Sequence, residues 1–119
     1  MNYFKPEEFK CKCGKCDGGS MDAVFVDKLN QARHLAQTSF VITSAYRCET
    51  HNKNVGGKPD SAHLQGKAVD IKFTSSNQSY KILKALLEVG FNRVGYNQKH
   101  SFYHVDNDST LPQNVFFNY

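Results

Sequence analysis

The sequence predicts an α+β fold in which a small antiparallel sheet carries its helices on one side. Three observations point there: two segments with helical apolar spacing, four short β-prone runs around them, and the order helix, strand, loop, strand, helix, hairpin. A chain of 119 residues with 39% apolar content, six Tyr and nine Phe can build one core but not two. Residues 1–119 are therefore read as one domain.

Each element has a local cause. Residues 1–19 lack periodicity and hold Cys11, Cys13, Cys16 and three glycines, which predicts an irregular arm packed by Phe4 and Phe9. Ser20 stands where an N-cap should, with Asp22 in the first turn, ahead of Phe25, Leu29, Ala32 and Ala36 at spacings of four, three and four. That pattern predicts a helix over 21–37. Phe40 to Thr43 are aromatic or β-branched and predict a strand ending near Tyr46. From Arg47 to Gly66 the chain turns polar, a loop long enough to carry function. Lys67 to Phe73 alternates, with Val69, Ile71 and Phe73 on one face and Ala68, Asp70 and Lys72 on the other, a half-buried strand. Ser76 or Asn77 caps a second helix bearing Ile82, Leu83, Leu86 and Val89 and stopped by Gly90. Strands near 92–96 and 101–106 follow.

Composition narrows the partners. Fifteen Lys and Arg against 11 Asp and Glu give a net charge of +4, a mild preference for an anionic polymer. The basic residues are scattered, without an Arg-rich segment interleaved with aromatics, so no nucleic-acid partner is expected. No apolar run approaches the ~18 residues of a membrane span. The opening MNYFKPEEFK lacks the basic and apolar regions of a signal peptide, so the expectation is cytoplasmic synthesis without membrane insertion. In that compartment four cysteines are thiols or metal ligands more readily than disulfides.

The chemistry concentrates in SAHLQGKAVDI, residues 61–71, and FYHVD, residues 102–106. A turn at Gly66 can fold His63 towards Asp70, and strand alternation puts Phe102, His104 and Asp106 on one face. If the second strand lies beside the one holding Asp70, then His63, Asp70 and His104 form a three-ligand cluster on the sheet's polar face. Three N/O ligands with a fourth position open is the arrangement of a catalytic zinc. Spacing alone leaves packed or surface roles for these side chains equally open.

The segment ITSAYRCETHNKNVGGKPDSAHLQGKAVDI, with the later GYNQKHSFYHVD, resembles the zinc D-alanyl-D-alanine carboxypeptidase family. These are peptidoglycan metallopeptidases of the lysostaphin and hedgehog fold, marked by an Arg after a Ser-x-x-x strand end, then Ser-x-His-x-x-Gly-x-Ala-x-Asp, then a final His. The opening FKPEEFKCKCGKC resembles that of short, phage-associated members. The resemblance implies Zn²⁺ held by His63, Asp70 and His104, with Arg47 positioning substrate. A guanidinium suits that task because its planar donors grip a terminal carboxylate or polarise a carbonyl. The implied activity is hydrolysis of peptidoglycan stem peptides, as a carboxypeptidase or an endopeptidase. The chain would act as a monomer at the bacterial cell wall in a phage lysin-like role.

One departure matters. Better-known members place Glu or Asp three residues before the final His, where this chain has Ser101, and serine cannot take a proton at neutral pH. His100 and Asp106 are the candidate substitutes, with Asp106 alternatively holding a zinc-bound His in its tautomer. The same departure keeps a second class open, a zinc-containing wall-binding or protein-binding module without catalysis. The resemblance also places Cys48, beside Arg47, in the core, so Cys11, Cys13, Cys16 and Cys48 could meet in a second, structural zinc site. Disulfides from Cys11 or Cys16 to Cys48, or free thiols, are the alternatives.

Overall fold

The computed structural model describes residues 2–119. After a short 3-10 helix at Pro6–Phe9, helix α1 runs Ala23–Ala36, strand β1 Val41–Ser44 and helix α2 Glu49–Asn54. A second 3-10 turn at Ala62–Gln65 leads into β2, Ala68–Lys72, and then α3, Ser76–Glu88. Strands β3, Arg93–Asn97, β4, Phe102–Asp106, and β5, Val115–Asn118, complete the chain.

The five strands form one sheet in the order β1-β2-β4-β3-β5. The first four pair antiparallel, but β5 lies parallel to β3, so the sheet is mixed where an antiparallel one was expected. The alternation of β2 and β4 sends Val69, Ile71, Tyr103 and Val105 to one face, where Phe25, Leu29 and Ala32 of α1 and Ile82 and Leu86 of α3 cover them. Helices α1 and α3 thus share one side, as expected, and Phe4 of the arm joins the same core.

Three local readings shift. Asp22, not Ser20, caps α1: its carboxylate accepts from the Phe25 amide at 3.0 Å. Strand β2 is buried on both faces rather than half-buried, because its Asp70 side is covered as well. The turn at Ala62–Gln65 packs against β2, and Gly66, at φ 69°, reverses the chain where a side chain would strike the Ser20 and Met21 backbone. The supposed loop from Arg47 to Gly66 contains α2, a helix with no apolar stripe, held by Cys48 as N-cap.

Candidate metal centre and substrate cleft

The polar face of the sheet is built by register. Asp70 of β2 stands directly opposite His104 of β4, and Gly95 of β3 is next in the same row. Asp106 and Arg93 face each other two pairs along, on the same face. His63 reaches this row from the 3-10 turn, and its ring centroid lies 5.2 Å from that of His104. His63, Asp70 and His104 are all buried, and one ligand atom from each lies within 4.8 Å of the others.

The hydrogen bonds decide which atoms face inward. His63 Nδ1 lies 2.6 Å from the Ala45 carbonyl, an acceptor only, so Nδ1 carries the proton and Nε2 a lone pair. That Nε2 is fully buried, has no hydrogen-bond partner, and sits 3.3 Å from Asp70 Oδ1. Two lone pairs face each other at this buried point, which a cation between them resolves. His104 Nδ1 lies 3.1 Å from the same oxygen, while its Nε2 lies 2.7 Å from Asp106 Oδ2. Donors around a tetrahedral zinc, each ~2.0–2.1 Å from the metal, are roughly 3.3 Å apart. The donor set and its spacing therefore fit Zn²⁺ held by His63 Nε2, an Asp70 oxygen and His104 Nδ1.

Apart from that facing pair, the buried charges have partners. Burial raises Asp70, but the His104 imidazole, donating through Nδ1, outweighs it and holds the carboxyl down at about 2. Burial lowers His104, yet its bonds to Asp106 and Asp70 carry it above the usual imidazole range. Asp106 is 1% exposed and fully engaged: Oδ2 accepts from His104, and Oδ1 accepts from Arg93 Nε at 2.7 Å and the Asp108 amide at 3.1 Å. Arg93 also donates to the Pro112 carbonyl at 2.5 Å.

Arg47 follows β1 and is held in place, its Nε donating to Ser44 Oγ at 3.1 Å and Nη1 to Asn52 Oδ1 at 3.2 Å. Its Nη2 lies 3.5 Å from Asp70 Oδ2, so the guanidinium stands beside the metal cluster. A cleft of about 850 Å³ opens here, lined by Arg47, Asp60, Asp70, His104, Phe117 and Tyr119 among others. Tyr119 stacks on His104 with ring centroids 4.3 Å apart at 10°. Gly95 permits this close approach, since a Cβ there would come within 2.9 Å of Phe117 and Tyr119.

The expected site residues divide into two groups. His63, Asp70, His104, Arg47 and Asp106 come together, whereas His100 is exposed on the β3–β4 turn and is not part of the cleft wall. Ser101 occupies the same turn at φ 55°. Arg93, Asn52 and Tyr119 are contributors that motif reading did not supply.

The model of the Peptidase M15 family matches residues 2–106. The chain belongs to that family. Peptidase M15 is a metallopeptidase family, the zinc D-alanyl-D-alanine carboxypeptidase-type family that the motifs resemble. The match ends at Asp106, so the cleft wall formed by Leu111, Pro112, Val115, Phe117 and Tyr119 lies outside it. No match is found among curated proteins. Among the described residues, no helix is long and apolar enough to cross a membrane.

Proposed function

We propose that this chain is a zinc-dependent peptidase that hydrolyses a peptide bond in the stem peptide of peptidoglycan. The carrying observation is the convergence of two imidazole nitrogens on one oxygen of Asp70, with Arg47 fixed beside it in an open cleft. His63, Asp70 and His104 would hold the zinc, which when bound supplies a water nucleophile at neutral pH and polarises the scissile carbonyl.

The chain's own residues do the rest. Arg47 lines the cleft with planar donors and binds the substrate carboxylate or the oxyanion that develops from the carbonyl. Asp106 takes the positioning role: both its oxygens are occupied, so it fixes the His104 tautomer and leaves Nδ1 free to ligate. Proton transfer falls to Asp60, the cleft-lining carboxylate outside these bonds, in preference to His100, which stands off the cleft wall. The net charge of +4 favours the anionic wall, and the N-terminal resemblance to phage-associated members supports a lysin-like setting.

The test is release of new amino groups from purified peptidoglycan. Zinc-loaded protein is expected to release them, His63→Ala to bind no zinc at this site and release none, and Asp60→Asn to bind zinc but lose turnover. Full turnover of Asp60→Asn alongside loss in His100→Ala would return the proton-transfer role to His100. Zinc bound by the wild type with no amine released would favour the binding module that Ser101 keeps open.

A further inference from the structure

A second group of ligand-type side chains lies outside the cleft. Cys11, Cys13, Cys16 and Cys48 are all free thiols, and their sulfurs lie within 4.8 Å of one another. Three come from the N-terminal arm and the fourth is the N-cap of α2, more than thirty residues later. Thiolates around a tetrahedral zinc, each ~2.3 Å from the metal, are roughly 3.8 Å apart, which this grouping accommodates.

The backbone is arranged around the sulfurs. The amides of Lys15 and Cys16 both donate to Cys13 Sγ at 3.3 Å, that of Gly18 to Cys16 Sγ at 3.3 Å, and that of His51 to Cys48 Sγ at 3.4 Å. The Cys48 amide donates across the junction to Cys11 Sγ at 3.3 Å. Five N–H groups aimed at four sulfurs suit thiolates, whose negative charge such donors disperse. Gly14, at φ 71°, makes the turn that returns Cys16 to Cys13. Lys10, Lys12 and Lys15 alternate with the cysteines and offset the double negative charge of a divalent ion with four thiolates.

We infer that Cys11, Cys13, Cys16 and Cys48 bind a structural Zn²⁺ that fastens the N-terminal arm to the start of the Arg47 loop. Four thiols lose their protons to solvent as the ion binds, and no oxidant is required. The closed set of four sulfurs leaves no position for substrate, so the site is structural. Its effect reaches the cleft through the chain: Cys48 follows Arg47, the Tyr46 amide donates to the Phe9 carbonyl at 3.2 Å, and the Arg47 amide donates to the His63 carbonyl at 3.1 Å. The ion thus anchors both flanks of the residue that positions substrate.

The experiment is zinc content per folded chain, read with thiol accessibility. Wild type is expected to carry two zinc ions, and Cys16→Ser and His63→Ala one each, lost from different sites. Cobalt-substituted His63→Ala should show sulfur-to-cobalt charge-transfer absorption, and Cys16→Ser should not. If Cys16→Ser does not fold, the wild type alone still decides: its four thiols should resist alkylation until a chelator removes zinc. Four freely alkylated thiols in zinc-loaded protein, an intact mass showing disulfides, or an iron chromophore would each overturn the inference. None of these outcomes bears on the peptidase reading, which stands or falls with His63→Ala.

Discussion

Replacing Asp106 with asparagine separates a residue that positions His104 from one that carries protons. Asp106 accepts three hydrogen bonds while 1% exposed: from His104 Nε2 at 2.7 Å, Arg93 Nε at 2.7 Å and the Asp108 amide at 3.1 Å. Asparagine keeps the shape but offers one carbonyl oxygen and one amino group. If the oxygen stays with Arg93 and Asp108, the amino group faces His104 Nε2 and forces its proton to Nδ1, the atom proposed to ligate zinc. Loss of such an orienting partner costs roughly 10–100-fold in metal affinity. The buried Arg93 also loses its counter-charge, a cost of about 3–5 kcal/mol in stability. Zinc affinity is read by competition with a chromophoric chelator, and stability by urea unfolding of the metal-free protein. Zinc affinity within about two-fold of wild type, together with collapsed turnover, would refute the positioning role and restore Asp106 as the proton carrier.

Three further outcomes are expected. Arg47→Lys keeps a charge but cannot reproduce the contacts to Ser44, Asn52 and Asp70, so kcat should fall by roughly 10²–10³ while zinc content at the His63 site is unchanged. Metal-free protein should show two pH limbs in urea unfolding. Asp70, held down at about 2, contributes about 2–3 kcal/mol that is present above its unfolded value of about 4 and lost as pH falls towards 2. His104, raised when folded, contributes below its unfolded value of about 6.5, and that part is lost as pH rises through the folded value. In Cys16→Ser, expected to keep only the His63 site, added zinc displaces the His104 proton, so zinc-dependent stabilisation should grow from pH 5 to pH 8; a flat profile would contradict His104 as ligand. Tyr119→Ala removes the ring stacked on His104 and part of the cleft wall, and should raise KM by about ten-fold more than it lowers kcat, measured with soluble stem peptides.

Much of this was legible because the signals are local. The spacing of Phe25, Leu29, Ala32 and Ala36 gave α1 its buried face, and alternation in β2 and β4 put Asp70 and His104 on the face away from Tyr103 and Val105. The turn at Gly66 then added His63, and the family resemblance added Arg47. What stayed hidden depends on partners distant in sequence. Strand β5 is four residues long and follows a mostly polar stretch, and only pairing with β3 makes it a strand. Helix α2, with sequence ETHNKN, has no apolar period, since it is tied to the fold by the Cys48 cap and by the bond that Asn52 Oδ1 accepts from Arg47. Asp106 looked available for proton transfer because its pairing with Arg93 is a matter of register, and the turn that carries His100 outward is set by the left-handed Ser101. Tyr119 could not be placed over His104 without β5.

The central claim, that His63, Asp70 and His104 form a zinc centre for cleaving stem peptides, is met most directly by mass spectrometry of purified muropeptides. Monomeric and cross-linked species would be incubated with zinc-loaded protein, and with His63→Ala as control. A mass change is expected only with the wild type: loss of a terminal alanine for a carboxypeptidase, or separated cross-links or a shortened stem for an endopeptidase. Unchanged muropeptides with zinc demonstrably bound at the His63 site, or equal cleavage by His63→Ala, would contradict it.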